Sequence, residues 1–413
     1  MSSLSIYYFD PIINFNNEKI VNSVFSQEKQ IKPIDSLFNK DNYEISDDPK
    51  YADFIILHYD LTRIILHLGL FGLAQLFHNN SIYREYHYKF IFYLSEDTPF
   101  LVPLSGTWLR ESVDSTINSE QSICLPYIIG EKPNLKIKKT RKKYNANFIG
   151  AIHTHPIRIK MYNALEKFND NQNYLLKPRK KFTSAYSTED QKKNMQELFD
   201  GIRSSYLTLC PRGTGMNSRR YFEVLSLGEM PVLFSDKNIV LPFEEKIDYT
   251  QFTINLSYEQ VDKFHDIYGS AENLTTDRMN AIEYYYNNFL CKEKCSIILS
   301  ETLKEKQNRI YKHRKKEFST MKKFTKDIMF EYIFNLIKKS FQKSEYVNCI
   351  MLLNYLKKLG CETSQVNALN DLEAQFQNEI GWINHNFFRR LDVECSGTTF
   401  KIAPYLTRIS KEL

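Results

Sequence analysis

The stretch LTLCPRGTGMNSRRYFEVLSLGEMPVLFSD, residues 207–236, holds the alternation on which the fold turns. An apolar run, SYLTLCP at 205–211, leads into the loop PRGTGMNS, a helical pattern from Ser218 to Leu227, and a second apolar run, MPVLFSD at 230–236. Strand, loop, helix and strand in that order make one βαβ unit, which predicts a parallel sheet. Gly213 and Gly215 carry no Cβ and let the loop backbone approach a ligand closely. The loop opens a helix whose first N–H groups are unsatisfied and whose dipole favours negative charge. Arg212 in the loop and Arg219 and Arg220 in the first turn are cations where the dipole alone would prefer acids. A bound polyphosphate accounts for them, and Asn217 and Ser218, where loop becomes helix, belong to the same candidate site. Glu223 lies one turn after Arg219, where a carboxylate can accept hydrogen bonds from a ribose diol, as the acidic residue of dinucleotide sites does. An i,i+4 ion pair between Arg219 and Glu223 without any ligand satisfies the same spacing.

Outward from this unit, the same alternation recurs. Upstream lie NFIGAI at 147–152 and a helical pattern from Pro156 to Phe168. Nearer the N-terminus, YADFIILHY at 51–59, a helix from Leu61, KFIFYL at 89–94 and ICLPYI at 123–128 form an earlier series. Between the two series, GEKPNLKIKKTRKKYNA at 130–146 is polar and basic with little apolar periodicity, and reads as a boundary. After about residue 258 strand-like runs become rare, and amphipathic helical patterns follow, among them 324–343 and 346–359. The reading is an α/β chain with domains at 1–130 and 131–290 and a helical extension at 291–413.

Composition bounds the function. With 413 residues, 42% hydrophobic, 25% charged, 13 Gly and 13 Pro, the chain suits two folded domains and an appendage. The 27 Tyr and 29 Phe fit a biased coding sequence as well as stacking against sugars. The seven cysteines are scattered, as in a reducing compartment. Cys291 and Cys295 share a helix face without a second pair at zinc spacing, and His153 and His155 form an HxH without a third ligand, so neither a metal nor a bound cofactor is expected. The HxH suits loop hydrogen bonding or a donor contact. The N-terminus lacks the pattern of a secretory signal, and LTRIILHLGLFGLAQLF at 61–77 is too short and interrupted to span a membrane. A cytoplasmic location is expected. Of the net charge of +6, much sits in KIKKTRKKY at 136–144 and YKHRKKEFSTMKKFTK at 311–326. Such runs attract phosphate or anionic lipid, and ordinary solvated faces look the same. No nucleic-acid-binding motif accompanies them, and no nucleic-acid partner is expected.

CPRGTGMNSRRYFEVLSLGEMPVLFSD, followed by LPFEEKIDYTQFTINLS at 241–257, resembles the C-terminal signature of exostosin-type glycosyltransferases. Weaker similarity runs upstream through NFIGAIHTHPIRIKM at 147–161, and in all residues 50–290 are covered. The resemblance implies a GT-B architecture of two Rossmann-like domains facing a cleft. It also implies a nucleoside-diphosphate sugar, with UDP as the expected base, held by the C-terminal domain, and inverting transfer without an essential metal. By position Arg158, Arg212, Arg219 and Glu223 match the family's donor residues, with Gly213, Asn217 and Ser218 beside them, while Arg220 can face the core instead. Asp236 and Glu244 match the segment after the second strand, where contact with the sugar and capping or loop-stabilising roles are equal readings. Most eukaryotic members have a membrane anchor and luminal disulfides; this chain shows neither and so resembles the soluble bacterial or viral type.

Inverting transfer needs a base for the acceptor hydroxyl. Glu96 and Asp97, at the end of FIFYLSED, are the first choice, because ligands gather at the carboxyl ends of parallel strands. Turn formation and helix capping explain such acids equally. His58 is the reserve. The acceptor implied is a glycan or lipid-linked saccharide in surface polysaccharide synthesis, the transferred sugar a hexose or pentose. A catalytically silent nucleotide-sugar-binding or scaffold subunit is the alternative, since fold does not guarantee activity. The helices beyond residue 300 suit docking to the inner face of an anionic membrane, a partner enzyme or a second copy, and packing against the other domains serves equally.

Overall fold

The computed structural model describes residues 4–10, 37, 43–62, 64, 73, 76–95, 104–113, 115, 122–127, 141–169, 173–180, 187–213, 215–235, 239–268 and 276–318. The expected boundary at 130, the helices expected at 324–343 and 346–359, and the residues Glu96, Asp97 and Asp236 lie outside them. The chain forms two compact units. One takes residues up to Arg110, Thr116–Ile123 and those from Leu299 on; the other takes Glu111–Ser115 and Cys124–Ile298. The start of the helical region thus groups with the second unit and its continuation with the first.

In the first unit the strands are β1 (Leu4–Phe9), β2 (Tyr43–Ile45), β3 (Phe54–Asp60), β4 (Phe90–Leu94), β5 (Thr107–Arg110) and β6 (Ser122–Cys124), in the order β2-β1-β3-β4-β5-β6. The pairs β1–β2, β1–β3, β3–β4 and β4–β5 are parallel. Phe54–Leu57 and Phe90–Phe92 are wholly buried, as befits central strands covered on both faces, where runs are continuously apolar rather than alternating. The described residues of 61–78 are helical, and Leu61, Ile64, Leu73 and Phe77 are buried. Phe77 packs against Phe9, Tyr83, Phe90 and Phe92 with ring centres 6.0, 5.3, 6.1 and 5.3 Å away. Burying a ring of that size stabilises the fold by roughly 1.5–3 kcal/mol, and the aromatic geometry adds to it. Tyr83, in α1 (Ser81–Tyr86), donates its buried phenol to the Ser105 carbonyl at 3.0 Å. Lys89 is buried, and its ammonium donates to the carbonyls of Pro49, Lys50 and Ala52 at 3.2, 2.8 and 2.8 Å, which fastens the turn before β3.

The second unit contains β7 (Tyr144–Ala151), α2 (Pro156–Glu166), β8 (Tyr174–Arg179), α3 (Thr188–Arg203), β9 (Ser205–Pro211), α4 (Arg219–Ser226), β10 (Met230–Phe234) and β11 (Ile254–Leu256). Its order is β11-β10-β9-β7-β8, and every neighbouring pair is parallel. The expected βαβ unit is β9–α4–β10. Asn147 inside β7 is buried and satisfied, its amide donating to the Leu207 carbonyl at 3.2 Å and to Thr208 Oγ1 at 2.7 Å. At the amino edge of the sheet, Lys142 donates to the Ser205 carbonyl at 2.8 Å and pairs with Glu229. Among the described residues the α-helices that follow are α5 (Phe264–Tyr268), α6 (Thr276–Tyr285) and α7 (Lys292–Phe318). In the first unit α7 is tied to the loop before β3, where Gln307 donates to Asp53 Oδ1 at 2.9 Å and the Tyr311 hydroxyl to the Asp53 carbonyl.

In both sheets the first strand has later strands on either side: β1 lies between β2 and β3, and β7 between β8 and β9. Helices leave the sheet in opposite directions at such a point and open a crevice at the carboxyl ends of the strands, where doubly wound proteins bind ligands.

Candidate donor site

The switch point of the second unit falls between β7 and β9. The loops leaving these strands carry His153–His155 and Arg212–Ser218, the residues singled out from the sequence. Arg212 is 2% exposed; its amide donates to the Phe234 carbonyl at 2.9 Å and its Nε to the Gly215 carbonyl at 3.1 Å. The loop is held from outside as well. Ser112 Oγ accepts from the Met216 amide at 2.8 Å, and Asn217 donates through Nδ2 to the Glu111 carbonyl at 2.9 Å. Asn217 is therefore an anchor of the loop, its Nδ2 also 3.4 Å from Cys124 Sγ. Burial raises the Cys124 thiol pKa far above its ordinary range, so it packs as a neutral group. Ser218 is the N-cap of α4, and its side chain makes no capping bond, so a first-turn N–H keeps no side-chain acceptor from the cap.

The three arginines of this segment differ. Arg220 donates through Nε to Glu223 Oε2 at 2.9 Å and through Nη1 to the Ile149 carbonyl at 2.7 Å. It thus ties α4 to β7 and faces inward. Arg219, its side chain 65% exposed, lies 3.4 Å from Glu223 Oε1. The i,i+4 ion pair allowed by the spacing is present, but the shorter bond comes from the i,i+3 neighbour. Glu223 is 8% exposed, and its carboxylate, with about four acceptor positions, is oriented by both arginines.

Arg158 projects from the first turn of α2 onto backbone: Nη1 donates to the Ala151 carbonyl at 2.8 Å, Nη2 to Pro211 at 3.1 Å and Nε to Arg212 at 2.8 Å. This guanidinium stitches together the carboxyl ends of β7 and β9. A Cβ on Gly213 would stand 3.0 Å from Arg158 Nη2 and 3.6 Å from Thr154 Oγ1, so a larger residue at 213 would press on the Arg158 guanidinium. His155 is the N-cap of α2, its Nδ1 accepting from the Ile157 amide at 3.2 Å. Its pKa is held well below the usual histidine range, first by burial and then by the charges of Arg212 and Arg158. Two buried or half-buried cations, a neutral imidazole and two helix N-termini thus gather at one crevice. Positive charge and free helix N–H groups in one place favour negative charge there. Glu244, by contrast, is exposed, and its carboxylate accepts from the Leu241 amide at 3.3 Å, a loop-stabilising contact. Among the described residues no three His, Cys, Asp or Glu side chains converge as a metal site would need, and no helix is long and apolar enough to cross a membrane.

In the first unit, sequence reasoning passed over Asp60. At the end of β3 its Oδ1 accepts from the amides of Thr62 at 2.9 Å and Ser95 at 3.2 Å, and its Oδ2 from the Ser95 hydroxyl. The carboxylate therefore fixes the point where the chain leaves β4, one residue before Glu96. His58 lies on β3, and its side chain is outside the described residues. The only hint of Asp60 in the sequence is its place between a strand and an apolar helix, where an N-cap belongs.

Two α/β units with parallel sheets are what a GT-B-like glycosyltransferase fold is built from. Residues 97–270 match the model of the Exostosin GT47 domain, which supports an exostosin-type glycosyltransferase. No curated protein matches the chain.

Proposed function

We propose that the protein transfers a sugar from a nucleoside diphosphate, with UDP as the expected carrier, to a glycan or lipid-linked saccharide, with inversion and without an essential divalent ion. The observation that carries the reading is the cationic switch point of the second unit. Arg212 and Arg219 and the starts of α2 and α4 supply positive potential for a diphosphate, and Glu223, held by Arg219 and Arg220, supplies an acceptor for a ribose hydroxyl. Arg158 contributes its charge and holds the two loops in register. The base for the acceptor belongs to the first unit, with Glu96 and Asp97 as candidates. A cytosolic enzyme working on surface polysaccharide precursors fits this chemistry. The test is a screen of nucleotide sugars by thermal shift and by donor hydrolysis. A rise in melting midpoint with one base identifies the nucleotide, because a ligand that binds only the folded state stabilises it by mass action. Slow hydrolysis of the same donor separates an enzyme from a silent binding subunit. A flat response to every nucleotide sugar would sink the proposal.

A further inference from the structure

Thr154 is 5% exposed, yet its hydroxyl has no hydrogen-bond partner among the described residues. Folded proteins seldom leave such a group unpaired. The oxygen faces the Arg212–Gly213 loop, 3.6 Å from where a Cβ on Gly213 would be. Thr154 immediately precedes His155, the cap of the eleven-residue helix α2, whose Nδ1 accepts from the Ile157 amide. A ring nitrogen that accepts carries no proton, so the neutral ring keeps its hydrogen on Nε2. The start of α2 therefore sets a hydroxyl donor and an uncharged imidazole beside Arg212 and Arg158.

We propose that Thr154 is a donor-binding residue, its hydroxyl donating a hydrogen bond to a phosphate oxygen of the nucleoside diphosphate. The inference rests on the donor reading above and deepens it. It makes the β7–α2 loop a second phosphate contact, distinct from the arginine loop, and one that acts by a neutral group. A hydroxyl serving the fold would have a protein partner, and one serving a ligand gains its partner on binding.

Thr154→Val keeps the shape and removes the donor; Thr154→Ser keeps the donor. Calorimetric titration of the full chain with UDP, and with GDP, CDP and ADP in parallel, reads the difference, with uridine as control. Thr154→Val should weaken the diphosphate that wild type binds by about ten- to a hundredfold, the effect of a hydrogen bond to a charged group. It should leave uridine within about twofold and the melting midpoint of the free protein unchanged or raised, since replacing an unpaired hydroxyl leaves nothing orphaned. Thr154→Ser should stay within about threefold of wild type. Wild-type diphosphate affinity in Thr154→Val, or equal weakening in both variants, overturns the assignment while leaving the donor site standing. Should the valine variant fail to fold, Thr154→Ala is read by the same criteria. A wild-type protein that binds none of the four diphosphates removes the donor reading itself, and this inference with it.

Discussion

Arg212 and Arg219 differ in burial, and burial decides what each contributes. Arg212 is 2% exposed, and a charge-assisted bond from it to a diphosphate would form away from water. Replacing it with Ala should weaken UDP binding by about 1.5–3 kcal/mol and also lower the melting midpoint, because the Gly215 carbonyl loses its donor. Arg219, 65% exposed, works in high dielectric. Its replacement should weaken binding by about 0.5–1 kcal/mol and leave the midpoint within error. Calorimetry and thermal unfolding on the two variants check both, and unchanged affinity in both would remove the site. His155 offers a pH test. Its folded pKa lies well below the usual value near 6.5, so below that pH the unfolded chain binds a proton there that the folded chain does not. Stability present above pH 6.5 is therefore lost as pH falls toward the folded pKa, by up to about 1.4 kcal/mol per pH unit. Asn at 155 can cap the helix without titrating. Urea unfolding at pH 7, 6 and 5 should show the Asn variant gaining on wild type with acidification; parallel curves would mean the imidazole is not shielded.

At the scale of elements, the link between β7 and β9 rests on Arg158. Its guanidinium meets the carbonyls of Ala151, Pro211 and Arg212, and Met in its place keeps the stem but orphans three acceptors at the end of the sheet. The expected loss is about 2–4 kcal/mol of stability, with donor affinity falling as the loops separate. Denaturant unfolding with and without UDP tests this, and a variant as stable as wild type would show that the carbonyls find other partners. The sequence placed Arg158 at this crevice through its family position, but no pattern in PIRIKM says that a guanidinium meets backbone rather than ligand. The same limit separates Arg219 from Arg220. Spacing offered Arg219 to Glu223, whereas the closer bond, at 2.9 Å, comes from Arg220. Strands β9 and β10 were legible because SYLTLCP is mostly apolar and MPVLF wholly so. Strand β8, YLLKPR, was not: it is the edge strand of its sheet, and an edge tolerates the Pro178 and charged side chains that hide a strand. Helix α3, TEDQKKNMQELFDGIR, was missed for a similar reason. It buries only Leu198, Phe199, Gly201 and Ile202 near its end and relies on Ser187, which accepts from the Asp190 amide at 3.2 Å, to begin.

At the scale of the molecule, the two sheets repeat one strand order: 2-1-3-4-5 in the second unit, and the same with a sixth strand in the first. Each unit therefore owns one switch point, and in a reaction with two substrates one crevice can serve each. Their endings differ in charge. The crevice of the second unit gathers Arg158 and Arg212, with Arg219 exposed in the first turn of α4, whereas in the first unit the carboxylate of Asp60 fixes the end of β3, with Glu96 and Asp97 next in sequence after Ser95. A departing diphosphate develops negative charge that must be neutralised by a metal held on acids or by fixed cations and helix N-termini. A second unit built on arginines points to the latter, and turnover should therefore persist in excess EDTA. With donor and acceptor identified, rates in EDTA and in added magnesium or manganese should agree within several-fold, since metals often speed nucleotide release without joining the chemistry. Loss of nearly all turnover in EDTA, restored by either ion, would show that the arginines bind the donor but do not carry its leaving-group charge.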